Sequence, residues 1–270
     1  MIRPRTVLLC HHDAPLHRDG IARWLASWSD LRGIVVIAEP RQQLSKRFRR
    51  EAKRIGWFRM LDVVAFRVWY RVGRGAGDAA WLATRLQQLQ AHFPPVPADV
   101  PVLHVASPNS PECRNFLADA RPEIMLALVK SMLAERIFTI PSVGTFVLHP
   151  GICPEYRNSH GCFWALANDD LDTVGMTLLR IDRGVDTGPV YGYFRTKFDE
   201  VVDTHIQIQN AMVLDNLPAI ATRLQEIATG TATTVPIDGR PSRAWGQPWL
   251  SAYLRWKRHA RRRRDADHRA

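Results

Sequence analysis

Short apolar runs alternate with amphipathic segments along most of the chain, and this pattern predicts strands and helices in turn. Residues 6–10 and 33–38 are apolar runs of strand length, and residues 21–28 between them have helical periodicity. Strand, helix and strand at this spacing are typical of a mostly parallel α/β sheet. The same pattern predicts the remaining strands at residues 102–105, 124–128, 144–148, 175–181 and 190–198.

Two further stretches complete the predicted architecture. Residues 204–229 carry apolar positions on one stripe and stop at Gly230, which predicts one long helix. Residues 41–92 interrupt the α/β rhythm with basic, aromatic and helical sequence. We therefore expect one α/β domain over residues 1–230 with a helical, basic insertion at about 41–92. A loop-rich basic extension over residues 231–270 is expected to follow it.

The 270-residue chain has a formal net charge of +11, and its basic residues are concentrated at residues 41–54 and 255–264. Basic clusters of this kind bind anionic partners, either a membrane surface or nucleic acid. The alternatives are a solvated helix face and a disordered, solubilising tail. Within the insertion, residues 61–72 form an amphipathic pattern with arginines beside tryptophans. This pattern fits core packing, a membrane-surface helix or a substrate lid.

The four cysteines lack the paired spacing of metal sites, and the N-terminus lacks the apolar stretch of a signal peptide. Both features predict a cytoplasmic protein with reduced thiols. The sequence His11-His12-Asp13 resembles a metal cluster, but adjacent residues rarely converge on one ion, so no metal is expected. At the end of the first strand, His11 and His12 are expected to contact a phosphate or another part of a substrate.

The candidate chemistry lies in two loops. His149 ends the strand at 144–148 and begins a loop stiffened by proline and glycine, and Asp186 lies in the turn between the two following strands. A histidine and an aspartate held on adjacent rigid loops form a proton-handling pair, which acyl or formyl transfer to an amine requires. The alternative is a strand-end histidine bonded to backbone and a turn aspartate that acts as a local cap.

These loops resemble those of the formyltransferase family, which includes glycinamide ribonucleotide transformylase, methionyl-tRNA formyltransferase and the sugar N-formyltransferases. The resemblance covers roughly residues 102–198. It implies a Rossmann-like fold, 10-formyltetrahydrofolate as the formyl donor and a small-molecule amine as the acceptor. It rests on a histidine, a proline-containing loop that ends in a Tyr-Arg pair, and an Asp-x-Gly turn: His149, residues 150–157 and residues 186–188.

The resemblance also implies roles for individual residues. His149 and Asp186 would be the catalytic pair. Tyr156 and Arg157 would shape the loop over the acceptor, with Arg157 free to pair with an anionic group. The folate pteridine would be bound by one loop and one residue of the Asp186 turn: Lys130, Ser131, Met132, Leu133 and Val185.

One position departs from the family pattern. The family's catalytic asparagine lies two residues before the histidine, where this chain has Val147. Valine cannot donate a hydrogen bond to the formyl oxygen as that oxygen gains negative charge, and losing one such donor typically costs about two to three orders of magnitude in rate. Candidates for a substitute donor follow the loop, and their alternative role is to cap the next helix: Asn158, Ser159 and His160.

We therefore expect an enzyme that transfers a formyl group to an amine of a small metabolite, such as an amino sugar or a natural-product intermediate. The segment after residue 230 is too short for the C-terminal β-barrel domain of methionyl-tRNA formyltransferases, which argues against initiator-tRNA formylation. Two alternatives stay open. One is a formyltetrahydrofolate hydrolase, in which water replaces the amine. The other is a non-catalytic binding protein on the same fold, which Val147 favours.

Overall fold

A seven-stranded sheet forms the centre of the molecule. The computed structural model describes residues 3–38, 52–53 and 55–269. Five strands of the sheet run parallel to one another. In chain order they are β1 (Arg5–His11), β2 (Asp30–Ile37), β3 (Val102–Val105), β4 (Ile124–Leu128) and β5 (Gly144–His149).

The remaining strands are antiparallel or lie outside this sheet. They are β6 (Arg157–Asn158), β7 (Met176–Arg180), β8 (Val190–Phe194) and β9 (Ala244–Trp245). The sheet order is β3-β2-β1-β4-β5-β7-β8, with β7 antiparallel to both β5 and β8. β6 and β9 form a separate two-stranded parallel pair. The predicted mostly parallel α/β sheet is therefore confirmed.

Helices cover both faces of the sheet. The first of them, α1, is preceded by a π-helical turn at Leu16–Ile21. The α-helices are α1 (Ala22–Trp28), α2 (Trp57–Gly73), α3 (Gly75–His92), α4 (Pro111–Ala120), α5 (Glu135–Phe138), α6 (Gly161–Ala167), α7 (His205–Leu214), α8 (Leu217–Ala228) and α9 (Leu250–Asp267).

Each face of the sheet has its own hydrophobic core, because side chains alternate along a strand. In β1, Leu8 and Cys10 pack into the larger core, and Val7 and Leu9 pack into the smaller one. All four side chains are fully buried. Burial on both faces explains why the parallel strands are almost continuously apolar in sequence.

The single helix predicted over residues 204–229 is wrong. The structure has two helices there, with α7 ending at Leu214 and α8 beginning at Leu217. Pro218 lies in the first turn of α8. A proline in a helix interior lacks the N–H that would bond the carbonyl four residues earlier, and its ring clashes with that carbonyl. The first position of a new helix tolerates proline, so the chain breaks and starts again.

The prediction of a loop-rich extension, and its alternative of a disordered tail, are wrong for residues 250–267, which form α9. One side of α9 is buried, including the large aromatic rings of Tyr253 and Trp256. Lys257 is also buried, and its Nζ donates to the carbonyls of Glu200 (2.8 Å), Val201 (3.3 Å) and Asp203. Burial lowers the pKa of Lys257 to about 8. α9 is thus part of the packed structure.

Other features of the described residues bear on the predictions. The strand expected to reach residue 198 ends at Phe194. The expected insertion contains α2 and α3, and most of the basic cluster at 41–54 lies outside the described residues. All four cysteines are buried and unpaired. Among the described residues, no His, Cys, Asp and Glu side chains cluster in a way that could hold a metal, and no helix is long and apolar enough to cross a bilayer.

Candidate active site

His149 is the last residue of β5, where the strand delivers its imidazole to the carboxyl end of the sheet. The side chain is buried, with 5% of its surface exposed. Its Nε2 lies 2.7 Å from the backbone oxygen of Tyr156. A carbonyl oxygen only accepts, so Nε2 carries the hydrogen and donates it. The other nitrogen, Nδ1, faces Oδ2 of Asp186 at 3.5 Å. Protonation of Nδ1 would therefore produce an ion pair.

Asp186 is held by its own turn, between β7 and β8. Its backbone is left-handed, with φ 52°, a conformation that aspartate tolerates better than most residues. Its Oδ2 accepts a hydrogen bond from the backbone N–H of Asn158 at 2.7 Å, whereas Oδ1 has no hydrogen-bond partner among the described residues. Gly188 is required nearby, because a Cβ there would lie 1.9 Å from the carbonyl oxygen of Arg180. The turn thus fixes one carboxylate oxygen and leaves the other available.

The histidine loop passes very close to the start of α6. A Cβ added to Gly151 would lie 2.6 Å from the carbonyl oxygen of Tyr156 and 2.8 Å from Nε2 of His149. A Cβ on Gly161 would lie 2.5 Å from the Cα of Gly151. Glycine is needed at both positions, because any side chain would push the loop away from the imidazole.

The C-terminal part of the chain braces these loops. The side-chain amide of Asn158 donates to the carbonyl of Trp245, beside the β6–β9 pairing. Arg157 joins three segments, since its Nε donates to Oγ of Ser242 at 2.9 Å and its Nη1 donates to the carbonyl of Val185 at 2.8 Å. Reasoning from sequence missed Ser242 and Trp245. No local signal marks them, because they lie 85 and 87 residues from their partners.

This arrangement can be compared with known proteins. No protein-family profile matches the chain. A methionyl-tRNA formyltransferase from Sorangium cellulosum is 34% identical over 98 residues, which are 36% of this chain and 31% of that enzyme. One from Thermotoga maritima is 26% identical over 150 residues, which are 52% of this chain and 47% of that enzyme. The chain is related to the formyltransferases.

The solved structures agree at the level of fold. A sugar N-formyltransferase from Shewanella sp FDAARGOS_354 has a TM-score of 0.54 and 11% identity, and the match covers 90% of this chain and 76% of that one. At this identity the likeness establishes the Rossmann-like formyltransferase fold alone. The sequence matches to the two curated relatives span less than half of their lengths.

The expected formyltransferase folate loop lies at the carboxyl end of β4, next to β5. Asn109 fixes this loop, because its Nδ2 donates to the carbonyl of Met132 at 2.9 Å and its Oδ1 accepts from the N–H of Ala134 at 2.7 Å. Just beyond the loop, Glu135 pairs with Arg183 of the Asp186 turn at 2.7 Å. The structure therefore brings the expected folate loop and the Asp186 turn together.

The five residues expected to bind folate differ in their exposure. Met132 and Val185 are exposed apolar side chains, at 65% and 36%. Lys130 is also exposed, whereas Ser131 is half-buried. Leu133 is different: its side chain packs into the smaller hydrophobic core, so it supports the loop from below and does not face an open surface.

Tyr156, expected to shape the loop over the acceptor, is directed into the core. Its ring is buried and stacks on Trp245, with centroids 5.6 Å apart, and its hydroxyl donates to Oδ2 of Asp170 at 2.9 Å. The residue contributes to the site through its carbonyl group, which fixes the imidazole of His149. A tyrosine that can satisfy its hydroxyl inside the core is stable there with its large ring buried.

His11 is the last residue of β1 and His12 follows it, on the far side of β4 from His149. His11 is buried, and its Nε2 accepts a hydrogen bond from the backbone N–H of Lys130 at 2.9 Å. His12 is exposed. The structure thus brings His11 to the expected folate loop.

Val147 lies on the same face of β5 as His149, because side chains two residues apart share a face. It packs against a small apolar cluster formed by Cys153, Leu179 and Val190. Burial raises the pKa of the Cys153 thiol, with the Asp186 charge acting in the same direction. The side chain at this position of the strand is therefore apolar, where the formyltransferase pattern has an asparagine.

The three candidate substitute donors differ in their surroundings. The Asn158 amide is bonded to Trp245, and the Ser159 hydroxyl has no partner among the described residues. His160 is left-handed, with φ 57°, and immediately precedes α6, but its side chain forms no capping bond. The alternative prediction, that Asn158 or Ser159 caps α6, is therefore wrong. Burial is the main cause that lowers the pKa of His160 to about 4, and its Nδ1 is buried without a partner among the described residues.

Proposed function

We propose that this chain transfers a formyl group from 10-formyltetrahydrofolate to an amine of a small-molecule acceptor. The observation that carries the proposal is the 3.5 Å approach of His149 Nδ1 to Asp186 Oδ2 at the carboxyl end of β5. Open α/β sheets bind ligands at this end of their strands. The sequence similarity to formyltransferases supports the reaction class.

The reaction needs a base at a defined place. An acceptor nitrogen that attacks the formyl carbon becomes positively charged and must lose a proton, while the formyl oxygen becomes negative. The new C–N bond replaces the C–N bond to tetrahydrofolate, and one proton passes from the acceptor nitrogen to the departing nitrogen. The available Oδ1 of Asp186 is suited to accept that proton, directly or through a water molecule.

His149 has a different role in this proposal from the one expected. Its Nε2 donates to Tyr156 and its Nδ1 faces Asp186, so neither nitrogen is directed at a substrate. We assign it the role of a positioning residue. It orients the carboxylate, and its imidazolium form would stabilise the charge of Asp186. Asp186 is then the group that contacts the reacting nitrogen.

The residues beside the pair fit the chemistry of a folate donor. When bound, 10-formyltetrahydrofolate supplies the activated formyl group. Its flat ring requires apolar walls, for which Met132 and Val185 are available, and Lys130 could pair with the carboxylates of the folate tail. The formyl oxygen also needs a donor, and two of the candidate substitutes have unused hydrogen-bonding capacity: the Ser159 hydroxyl and Nδ1 of His160.

The test is a turnover assay with 10-formyltetrahydrofolate and a panel of amino sugars, nucleotide-linked amino sugars and amino acids. Tetrahydrofolate release and the mass of the formylated amine are both measured. The substitution Asp186→Asn removes the proposed base and should lower kcat/KM by about two to four orders of magnitude. The matched control is Asp172→Asn, an exposed aspartate in another loop, which should leave it unchanged. A fully active Asp186→Asn variant would exclude this mechanism.

A non-catalytic binding protein on this fold is the second candidate, and Val147 together with the engaged nitrogens of His149 favours it. Calorimetric binding of a folate analogue, without turnover of any amine in the panel, would support this candidate over the enzyme. Formate released in the absence of an amine would instead assign the hydrolase reaction, because water would then be the acceptor.

A further inference from the structure

Helix α2 has two apolar faces, and the described residues cover only one of them. Its inner face is buried, including Met60, Val63 and Phe66. A surface helix normally presents polar side chains on its outer face. Here the outer face carries large apolar side chains that are between 38% and 91% exposed. This α2 apolar face comprises Trp57, Phe58, Leu61, Val68, Trp69 and Val72.

The exposed side of α9 next to it is strongly basic. The two helices pack side by side, with the rings of Trp69 and Tyr253 5.2 Å apart and the N–H of Ser251 donating to Oδ1 of Asp62 at 3.1 Å. Five arginines of α9 are exposed, and we call them the α9 arginines: Arg255, Arg258, Arg261, Arg262 and Arg264.

In the described part of the chain, the acidic groups near this surface are fewer than its arginines: they are Asp62 of α2 and the exposed Asp265 and Asp267 of α9. Asp62 of α2 is bonded to Ser251. Asp78 of α3 is buried, and it accepts hydrogen bonds from the hydroxyls of Tyr70 and Thr204. The outer surface of this layer therefore combines exposed apolar rings with an excess of positive charge.

We propose that the α2 apolar face and the α9 arginines form a docking surface for a bilayer that contains anionic lipid. Helices of this composition lie in the plane of the membrane interface, with tryptophan, phenylalanine and leucine in the acyl boundary and arginines at the headgroups. The 17 residues of α2 would lie flat along the surface. No described helix could cross the bilayer, so the contact is peripheral.

The charge distinguishes this partner from the other possible occupants. The chain has a net charge of +11, so a second copy docked on this surface would bring two arginine clusters together. Nucleic acid would satisfy the arginines, but its phosphate backbone offers no apolar surface for the α2 side chains. An anionic bilayer satisfies both parts of the surface.

Both parts should contribute measurably to binding. Each arginine near an anionic membrane strengthens binding by about fivefold, an effect that falls with salt concentration. Each apolar side chain that enters the acyl boundary should strengthen it by roughly tenfold, and this effect should persist at high salt. The proposal does not depend on the formyl transfer reaction, because it involves neither His149 nor Asp186.

Sedimentation of the full chain with vesicles tests the proposal. Vesicles of phosphatidylcholine with about one-third phosphatidylglycerol should bind the protein, and phosphatidylcholine alone should bind it at least tenfold more weakly. The double variants Leu61→Ser/Val68→Ser and Arg258→Gln/Arg261→Gln should each weaken binding to the mixed vesicles by about tenfold or more. The matched control replaces two exposed valines elsewhere, Val102 and Val202, with serine and should bind like the unaltered chain.

A second measurement keeps the test valid if a variant misfolds. Brominated lipids should quench the fluorescence of the unaltered protein, and the quenched fraction should fall when Trp57 is replaced with tyrosine. Absence of vesicle binding, or equal binding by all variants, would overturn the proposal. So would a dimer in solution that Leu61→Ser/Val68→Ser dissociates, or RNA binding without vesicle binding, since either outcome identifies a different partner.

Discussion

At the carboxyl end of β5, the polar atoms of His149 and Asp186 are fixed by backbone groups of neighbouring loops. The layer formed by α2, α3, α7 and α9 differs. There, aromatic rings surround buried polar atoms that have no partner among the described residues, including Nδ1 of His205 and the hydroxyl of Tyr253. Hydrogen bonds to backbone groups fix the side chains of the first region, and ring packing together with the hydrogen bonds of Asp78 holds the second.

The largest effect is expected when a hydrogen-bond donor is placed at position 147 of β5, beside His149. If formyl transfer occurs and a donor at position 147 limits it, Val147→Asn should raise turnover by about two to three orders of magnitude, because the amide would stabilise the developing oxyanion. The assay is the release of tetrahydrofolate. Val147→Leu is the matched control, since leucine has a shape similar to that of asparagine but no hydrogen-bond donor. An unchanged rate in Val147→Asn would indicate that another group already donates to the formyl oxygen.

A substitution at Asp78 should destabilise the helical layer strongly. Its carboxylate accepts from the hydroxyl of Thr204 at 2.6 Å and from that of Tyr70. Asp78→Ala would remove the carboxylate that accepts both hydroxyl hydrogens, which should lower the free energy of unfolding by roughly 2–4 kcal/mol. Urea denaturation measures this change. The exposed Asp99→Ala should alter stability by no more than about 0.5 kcal/mol. Equal losses in the two variants would contradict the role given to Asp78.

Mild acid should also weaken the fold through three histidines, of which His205 lies in the helical layer. Burial lowers the pKa of His160 and of His17 to about 4, and it lowers the pKa of His205 well below its ordinary value. The unfolded chain binds these protons near the ordinary value of 6.5, whereas the folded protein does not bind them until the pH is much lower. Stability should therefore fall between about pH 7 and pH 5, by roughly 1–2 kcal/mol for each histidine.

Urea midpoints at the two pH values measure this effect. The variant His205→Phe, which places another ring among Phe66, Tyr70 and Tyr253, should reduce the pH dependence, because one of the three groups no longer titrates. An unaltered protein with the same midpoint at both pH values would contradict the effect of burial.

The sheet could be predicted largely because its strands are short, apolar and separated by clear breaks. The strand at residues 124–128 has the predicted bounds. α9 could not be predicted, because its buried stripe contains Ala252, Lys257 and Ala260, and periodicity does not recognise a lysine as a core residue. Lys257 is tolerated there because three carbonyl groups accept its hydrogens.

The candidate site was predictable in part. The proximity of His149 and Asp186 follows from two loops at neighbouring strands. The orientation of the imidazole does not, since it depends on the carbonyl of Tyr156, and every residue has a carbonyl. The bracing by Trp245 comes from a contact between segments that are distant along the chain. Hydrophobic patterns describe which face of an element is buried, and they carry no information on such pairings.

The packing of α2 against α9 has a consequence for how the protein is made. Asp62 and Ser251, which join the two helices, are 189 residues apart. A chain leaving the ribosome exposes the inner face of α2 long before α9 has been synthesised. During that interval both apolar sides of α2 are uncovered, a state in which nascent chains aggregate readily or recruit chaperones. Translation speed and chaperone supply should therefore influence the yield of this protein.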